Sequence, residues 1–102
     1  MKVNAVARIA SLIGEPARTA MLMPLMSGRA MTATELAGAA GITPPTCSRH
    51  LALMVDAGLL QVTATRRHRY HRIATGEVAR LIENLLQIAD WLGPVLWKRV
   101  LA

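Results

Sequence analysis

Residues 41–60 read GITPPTCSRHLALMVDAGLL, and the way this stretch folds decides the architecture of the chain. Two adjacent prolines, the only cysteine, an Arg-His pair and an apolar run share these twenty positions. Three readings compete: a metal or redox centre at Cys47, a kinked structural helix, or a helix with an outward recognition face. Thr43-Pro44 has the form of a helix start, a hydroxyl cap followed by proline at the first helical position. The prolines therefore open a helix rather than break one. The pattern runs through Leu51, Leu53 and Met54 to Ala57-Gly58, where glycine terminates it. Cys47, Leu51 and Met54, spaced four and three apart, share one helix face, which turns Pro45, Thr46, Ser48, Arg49 and Ala52 away from it.

Upstream, Thr32 and Glu35 form a capping-box pattern before a short Ala-rich helix, Ala33–Ala40. The turn Gly41-Ile42-Thr43 then joins it to a second helix, about Pro44–Ala57. Downstream, Leu59–Thr63 has strand character, Arg69–Ile73 is its return, and Ala64–His68 is the hairpin tip. Two helices joined by a tight glycine turn and followed by a hairpin describe a winged helix-turn-helix. Val3, Val6, Ala7, Ile9, Ala10 and Ile13 predict a first helix ending near Gly14. A second begins at Pro16 and runs toward Ser27-Gly28, and Pro24 inside it removes one backbone bond, which either kinks the helix or stops it. A long helix follows from Glu77 to Leu101, with a stripe of Val78, Leu81, Ile82, Leu85, Leu86, Ala89 and Leu92. Gly93-Pro94 is expected to bend it before Trp97 and Val100. The expected fold is mainly α with a small two-stranded β wing, in the order four helices, two strands, one helix.

The 102 residues suit one domain, residues 1–102, whose terminal helices dimerise. Apolar residues make up 53% and aromatics only 3%, with no Phe, so Leu, Ile, Val, Ala and Met build the interior. That apolar fraction is high for a small domain, and part of it is expected to face a partner subunit. The net charge is +6, and four Arg and two His crowd between Arg66 and Arg72 with no acid. Such local clustering is the footprint of a polyanion binder, with a solvated face as the plainer alternative. A single cysteine forms no intramolecular disulfide. Arg8 interrupts the apolar N-terminal stretch, against a signal peptide, and no run approaches the ~18 apolar residues of a membrane span, so a cytoplasmic protein is expected.

The segment ELAGAAGITPPTCSRHLALMVDAGLLQV, followed by RRHRYHRI, resembles the ArsR/SmtB family of bacterial transcriptional repressors. That family's second helix typically reads Ser-x-x-Thr-x-Ser-x-His-Leu and leads to Ala-Gly-Leu. Thr43, Thr46, Ser48, His50 and Leu51, then Ala57-Gly58-Leu59, match it here. The resemblance covers nearly the whole chain and implies a dimeric repressor. Some relatives place Cys-x-Cys in the first helix of the motif, where this chain has Ala37-Gly38-Ala39. Others place Asp and His ligands on the last helix, which here offers Glu77, Glu83 and Asp90 but no His. No metal and no cofactor is expected on that comparison. Pro44 stands where relatives often carry a base-contacting Gln, which moves the expected base reading to Thr46, Ser48 and Arg49.

The expected partner is double-stranded DNA, contacted by Thr43, Pro45, Thr46, Ser48, Arg49 and His50 of the second motif helix. Arg66, Arg67, His68 and Arg69 of the wing are expected to meet phosphates or an adjacent minor groove. A helix N-terminus carrying short polar side chains suits a major groove, and Arg49 can pair with guanine. His50 borders the apolar face and is open to either a local bond or DNA. The homodimer interface is expected at Val6, Ile9, Ile13, Leu81, Leu85, Ile88 and Leu92. Cys47, His50, His68 and His71 remain as metal or redox candidates. His68 and His71 are three apart on a strand and point to opposite faces. Met21, Met23, Met26 and Met31 read as flexible core packing rather than a soft-metal site. Two alternatives stand beside the repressor: a winged-helix protein-interaction module, and a thiol- or metal-responsive repressor using Cys47. A small-molecule or redox inducer is left open. An enzyme is disfavoured, since no paired carboxylates, activated nucleophile or phosphate-cradling glycine loop stands out.

Overall fold

The computed structural model describes residues 2–101, with side chains at all of these except Trp97, Val100 and Leu101. Trp97 and Val100, the expected end of the apolar stripe, thus lie outside the described side chains. The order is α1 (Val3–Gly14), α2 (Pro16–Leu25), α3 (Ala33–Ala40), α4 (Pro44–Asp56), β1 (Leu60–Ala64), β2 (Arg69–Ile73) and α5 (Gly76–Leu101). This is the winged helix-turn-helix that the sequence predicts.

Local chemistry sets each boundary. The Thr32 hydroxyl accepts from the Glu35 N–H at 3.2 Å and the Glu35 carboxylate accepts from the Thr32 N–H at 3.1 Å, closing the capping box of α3. Gly41, at φ +68°, ends that helix, and the Ile42 N–H bonds back to the Ala37 carbonyl at 3.0 Å. Gly58, at φ +82°, ends α4 in the same way, with the Leu59 N–H reaching the Met54 carbonyl at 2.9 Å. Leu59 is thereby spent on the helix terminus, and β1 starts one residue later than the apolar pattern suggests.

The two inner prolines have different outcomes. Of the kink and the stop left open at Pro24, the structure takes the stop: α2 ends at Leu25, one residue beyond it. Pro24 leaves the Ala20 carbonyl without its helical partner, and the next bonds, from Met26 N–H to the Met23 carbonyl and from Gly28 N–H to that of Leu25, are tighter turns. Pro94 lies inside α5, which continues through it to Leu101.

The core joins α2 (Met21, Leu22, Leu25), α3 (Leu36, Ala37) and α4 (Cys47, Leu51, Met54), all essentially closed to solvent. Leu12, Ile13, Met31, Leu59, Leu60 and Ile82 complete it, and Met23 and Met26 pack against its edge. The antiparallel strands pair Leu60 with Ile73, Val62 with His71 and Ala64 with Arg69. Met31 extends this sheet by a bridge to His71, exchanging backbone bonds of 2.8 and 2.7 Å. The wing is therefore stitched to the residue just before the N-cap of α3. Among the described residues no helix is long and apolar enough to cross a membrane.

Candidate nucleic-acid interface

Cys47, Leu51 and Met54 anchor α4 in the core and fix which side of it faces out. Pro45, Ser48, Arg49 and Ala52 are exposed, and Thr46 is half-buried. Thr43 is also exposed, but its hydroxyl is engaged: it accepts from the Thr46 N–H at 3.4 Å and donates to the Thr46 hydroxyl at 3.0 Å. Pro44 and Pro45 bring no N–H to this helix start and the Thr46 and Cys47 N–H groups are bonded to Thr43, so what the start offers an anion is the helix dipole and the hydroxyl proton of Thr46.

The hairpin stands beside this face. Thr65 and His68 close its tip without glycine: the Thr65 N–H donates to the His68 carbonyl at 2.8 Å, and the Thr65 hydroxyl accepts from the His68 N–H at 3.2 Å. Arg66 and Arg67 project from that tip, and Arg69 emerges from the strand face that also carries His71. Among the described residues Arg49, Arg66, Arg67 and Arg69 form no ion pair, so their charge is open to a partner. A hollow of about 440 Å³ lies between helix and wing, lined by Ala33, Ser48, Ala52, Asp56, Arg69 and His71 among others. Asp56, on the outer face of α4, is the one acid at this surface, and the sequence reading passed over it. Arg72, the last cation of the basic cluster, is exposed on the opposite side of the wing, donating to Gln61 at 3.4 Å.

His50 does not join the outward set. Its Nδ1 lies 3.0 Å from Arg18 and its Nε2 lies 3.9 Å from the Glu15 carboxylate, so the ring turns toward α2. The local-bond alternative left open for His50 is the one the geometry takes. Sequence spacing placed it on the border of the core face but offered no sign of Arg18, 32 residues away.

The other chemical candidates are dispersed. Cys47 is fully buried, its Sγ–H points to the Ala33 carbonyl at 3.4 Å, and burial pushes its thiol above the ordinary range. His71 is 6% exposed and donates through Nδ1 to the Met31 carbonyl at 3.3 Å. Burial holds it below the usual histidine value, and nearby Arg69 pushes the same way. His68 sits exposed in the tip, just before β2 rather than on it. Among the described residues no three His, Cys, Asp or Glu side chains gather to hold a metal ion.

On the far side of the molecule α1 and α5 leave an apolar groove of about 390 Å³, lined by Val6, Ile9, Ala10, Ile13, Leu81 and Leu85. Val6, Ile9, Leu81, Leu85, Ile88 and Leu92 are all exposed, at 39–63%. Ile13 differs: at 6% exposure it is a core residue that forms the groove's floor. Trp91, at 80% exposure, extends the apolar surface along α5.

Comparison with known proteins agrees with this geometry. The family model described as helix-turn-helix domain matches residues 13–63, half of the chain. The uncharacterized HTH-type transcriptional regulator YdfF of Bacillus subtilis (strain 168) is 45% identical over 84 residues, 82% of this chain. The chain spans only 37% of the length of YdfF. The HTH-type transcriptional regulator CmtR of Mycobacterium tuberculosis is 28% identical over 88 residues, covering 86% of this chain and 74% of CmtR. Among solved structures, a Mycobacterium bovis domain, Mb0332, superposes with a TM-score of 0.78 at 27% identity, covering 86% of this chain and 81% of that one. It is described as a homodimeric winged helix-turn-helix DNA-binding domain of a possible ArsR-family transcriptional regulator. With the matched residues running from the end of α1 into β1, and the wing completed by β2, the chain belongs to the helix-turn-helix domain family in its winged form.

Proposed function

We propose that this chain is a DNA-binding transcriptional regulator acting as a homodimeric repressor on an imperfect palindrome near a promoter. One observation carries the reading: a short polar helix face, Thr46, Ser48 and Arg49, stands beside the unpaired cations Arg66, Arg67 and Arg69 of the wing. In the proposed complex the N-terminal half of α4 enters the major groove. Arg49 and Ser48 contact base edges, Pro45 and Thr46 line the groove wall, and Thr43 holds the helix end near a phosphate. Arg66, Arg67 and His68 meet phosphates beyond the groove edge, and Arg69 approaches from the inner side of the wing.

The groove between α1 and α5 is the proposed subunit contact. A second copy, applied about a two-fold axis, covers Val6, Ile9, Leu81, Leu85, Ile88 and Leu92. The dimer then carries two recognition helices about 34–36 Å apart, one turn of DNA. Its place of work is the cytoplasm, and catalysis has no part in it. Blocking a promoter needs only occupancy. The burial of Cys47 argues against a thiol inducer acting there. The reading is tested by fluorescence anisotropy of labelled duplexes enriched from a random library by the protein. Nanomolar, salt-sensitive binding by a dimer is expected; absence of enrichment at low salt refutes the reading.

A further inference from the structure

Arg18 stands in the first turn of α2, where its backbone N–H donates to the Glu15 carboxylate at 2.9 Å. Its side chain is held at three points. Nε donates to the Leu12 carbonyl at 2.6 Å and Nη2 to the Ser11 carbonyl at 3.3 Å, both in the last turn of α1. Nη1 donates to Nδ1 of His50 at 3.0 Å, in the middle of α4. A guanidinium only donates, so Nδ1 of His50 is a lone pair and the ring proton lies on Nε2, facing Glu15 at 3.9 Å. Nδ1 is thus bonded by α2, and Nε2 faces its N-cap carboxylate without a hydrogen bond. Among the described residues, Arg18 is the one side chain that hydrogen-bonds both α1 and α4.

The rigidity of that link follows from chemistry. The guanidinium is planar, with donors in a fixed fork, so two carbonyls of α1 fix its plane and its plane fixes where His50 can lie. The rest of the buried face of α4 is Cys47, Leu51 and Met54, whose packing is largely non-directional apart from the weak Sγ–H bond of Cys47 to the Ala33 carbonyl at 3.4 Å. Core packing chooses the buried side of α4, and the strongest directional contact on its roll about the axis is the one through His50, which meets a charged donor. Arg49 and Ser48 lie next along the same helix, and any roll carries them with it. At the other end of the link, α1 borders the apolar groove.

We propose that Arg18 is a positioning residue: it ties the roll of α4 to the end of α1, so that sequence-selective DNA binding depends on the Arg18–His50 bond although neither side chain touches DNA. The inference rests on the DNA-binding reading above. It also connects the proposed subunit contact to the recognition face through two side chains.

The test compares two labelled duplexes of one length, one enriched by the wild-type protein from a random library and one unselected. The variants are Arg18→Ala, His50→Ala, the double substitution, and His50→Asn, whose amide oxygen can accept in place of Nδ1. At a temperature where circular dichroism shows every variant folded, each alanine variant loses about tenfold in affinity for the enriched duplex, the scale of one hydrogen bond to a charged group. Affinity for the unselected duplex stays the same, because the wing is untouched. The double variant is no worse than the single ones, and His50→Asn recovers most of the loss. Unchanged affinity for the enriched duplex in the folded alanine variants overturns the proposal. So do losses that multiply in the double variant, or losses that fall equally on both duplexes. Should Arg18→Ala not fold, the His50→Ala and His50→Asn pair decides, since it leaves the α1 anchors in place. Failure of the wild-type protein to enrich any duplex overturns the DNA-binding reading, and this proposal with it.

Discussion

Truncating Leu85 to alanine separates a subunit contact from a core contact, and the structure sets the size of the effect. Leu85 lines the α1–α5 groove with 44% of its surface still open, whereas Ile82, one turn back on α5, is 1% exposed. Full burial of a leucine contributes about 1.5–3 kcal/mol, so the part that a partner subunit would cover contributes about 0.7–1.3 kcal/mol. Two-fold symmetry counts it twice, about 1.3–2.6 kcal/mol, which raises the dimer Kd roughly ten- to a hundredfold. Ile82→Ala, by contrast, opens a cavity in the core and costs the fold about 2–5 kcal/mol. Sedimentation equilibrium over a concentration series reads the first effect, and urea unfolding reads the second. A wild-type chain that sediments as a monomer at micromolar concentration refutes the reasoning. So does a Leu85→Ala variant with the wild-type dimer Kd.

The wing makes its own prediction: Arg66→Ala with Arg67→Ala removes four phosphate contacts per dimer and flattens the slope of log K against log salt by about 3.6. Anisotropy titrations between low and moderate salt measure it, and an unchanged slope removes the wing from the interface. His71 gives a pH dependence. Its folded-state value lies below the ordinary 6.5, so the unfolded chain takes up the proton first. The stabilisation is whole above pH 6.5 and is lost as pH falls through the lower folded value. Urea midpoints from pH 7.5 to 5 therefore decline, and His71→Asn, which keeps an N–H near the Nδ1 position without titrating, flattens that decline. Glu15 and Glu35, held below the usual carboxylate value by N–H bonds from Arg18 and Thr32, act only at lower pH. Cys47 resists iodoacetamide in the native state and reacts on unfolding; mass spectrometry showing rapid native labelling contradicts its burial.

Much of this architecture was written in short-range patterns. The spacing of Cys47, Leu51 and Met54 gave the buried side of α4, and Thr32 with Glu35 gave the start of α3, because caps and helical periods involve residues within one or two turns. The wing was legible as alternation and charge. What could not be read is long-range. The partner of His50 is 32 positions away and that of the His71 ring is 40 away, and no local spacing announces either. Ile13 shows the same limit, since periodicity puts it beside Val6 and Ile9 but cannot say that Ile82 and Leu85 close over it. Pro24 was ambiguous for a local reason: a proline removes one helical bond in either case, and only the following Ser27-Gly28 turn decides between a kink and an end.

The central claim is that α4 reads bases while the wing holds the backbone, and one comparison tests it directly. Affinities of wild-type, Ser48→Ala/Arg49→Ala and Arg66→Ala/Arg67→Ala proteins are measured for an enriched and an unselected duplex at fixed salt. The account predicts that the α4 variant loses at least about tenfold on the enriched duplex, with a much smaller change on the unselected one, as removal of a base contact does. It predicts that the wing variant loses affinity for both duplexes in similar proportion. Equal losses on both duplexes for the α4 variant, or enriched-duplex binding that survives it intact, would contradict the account.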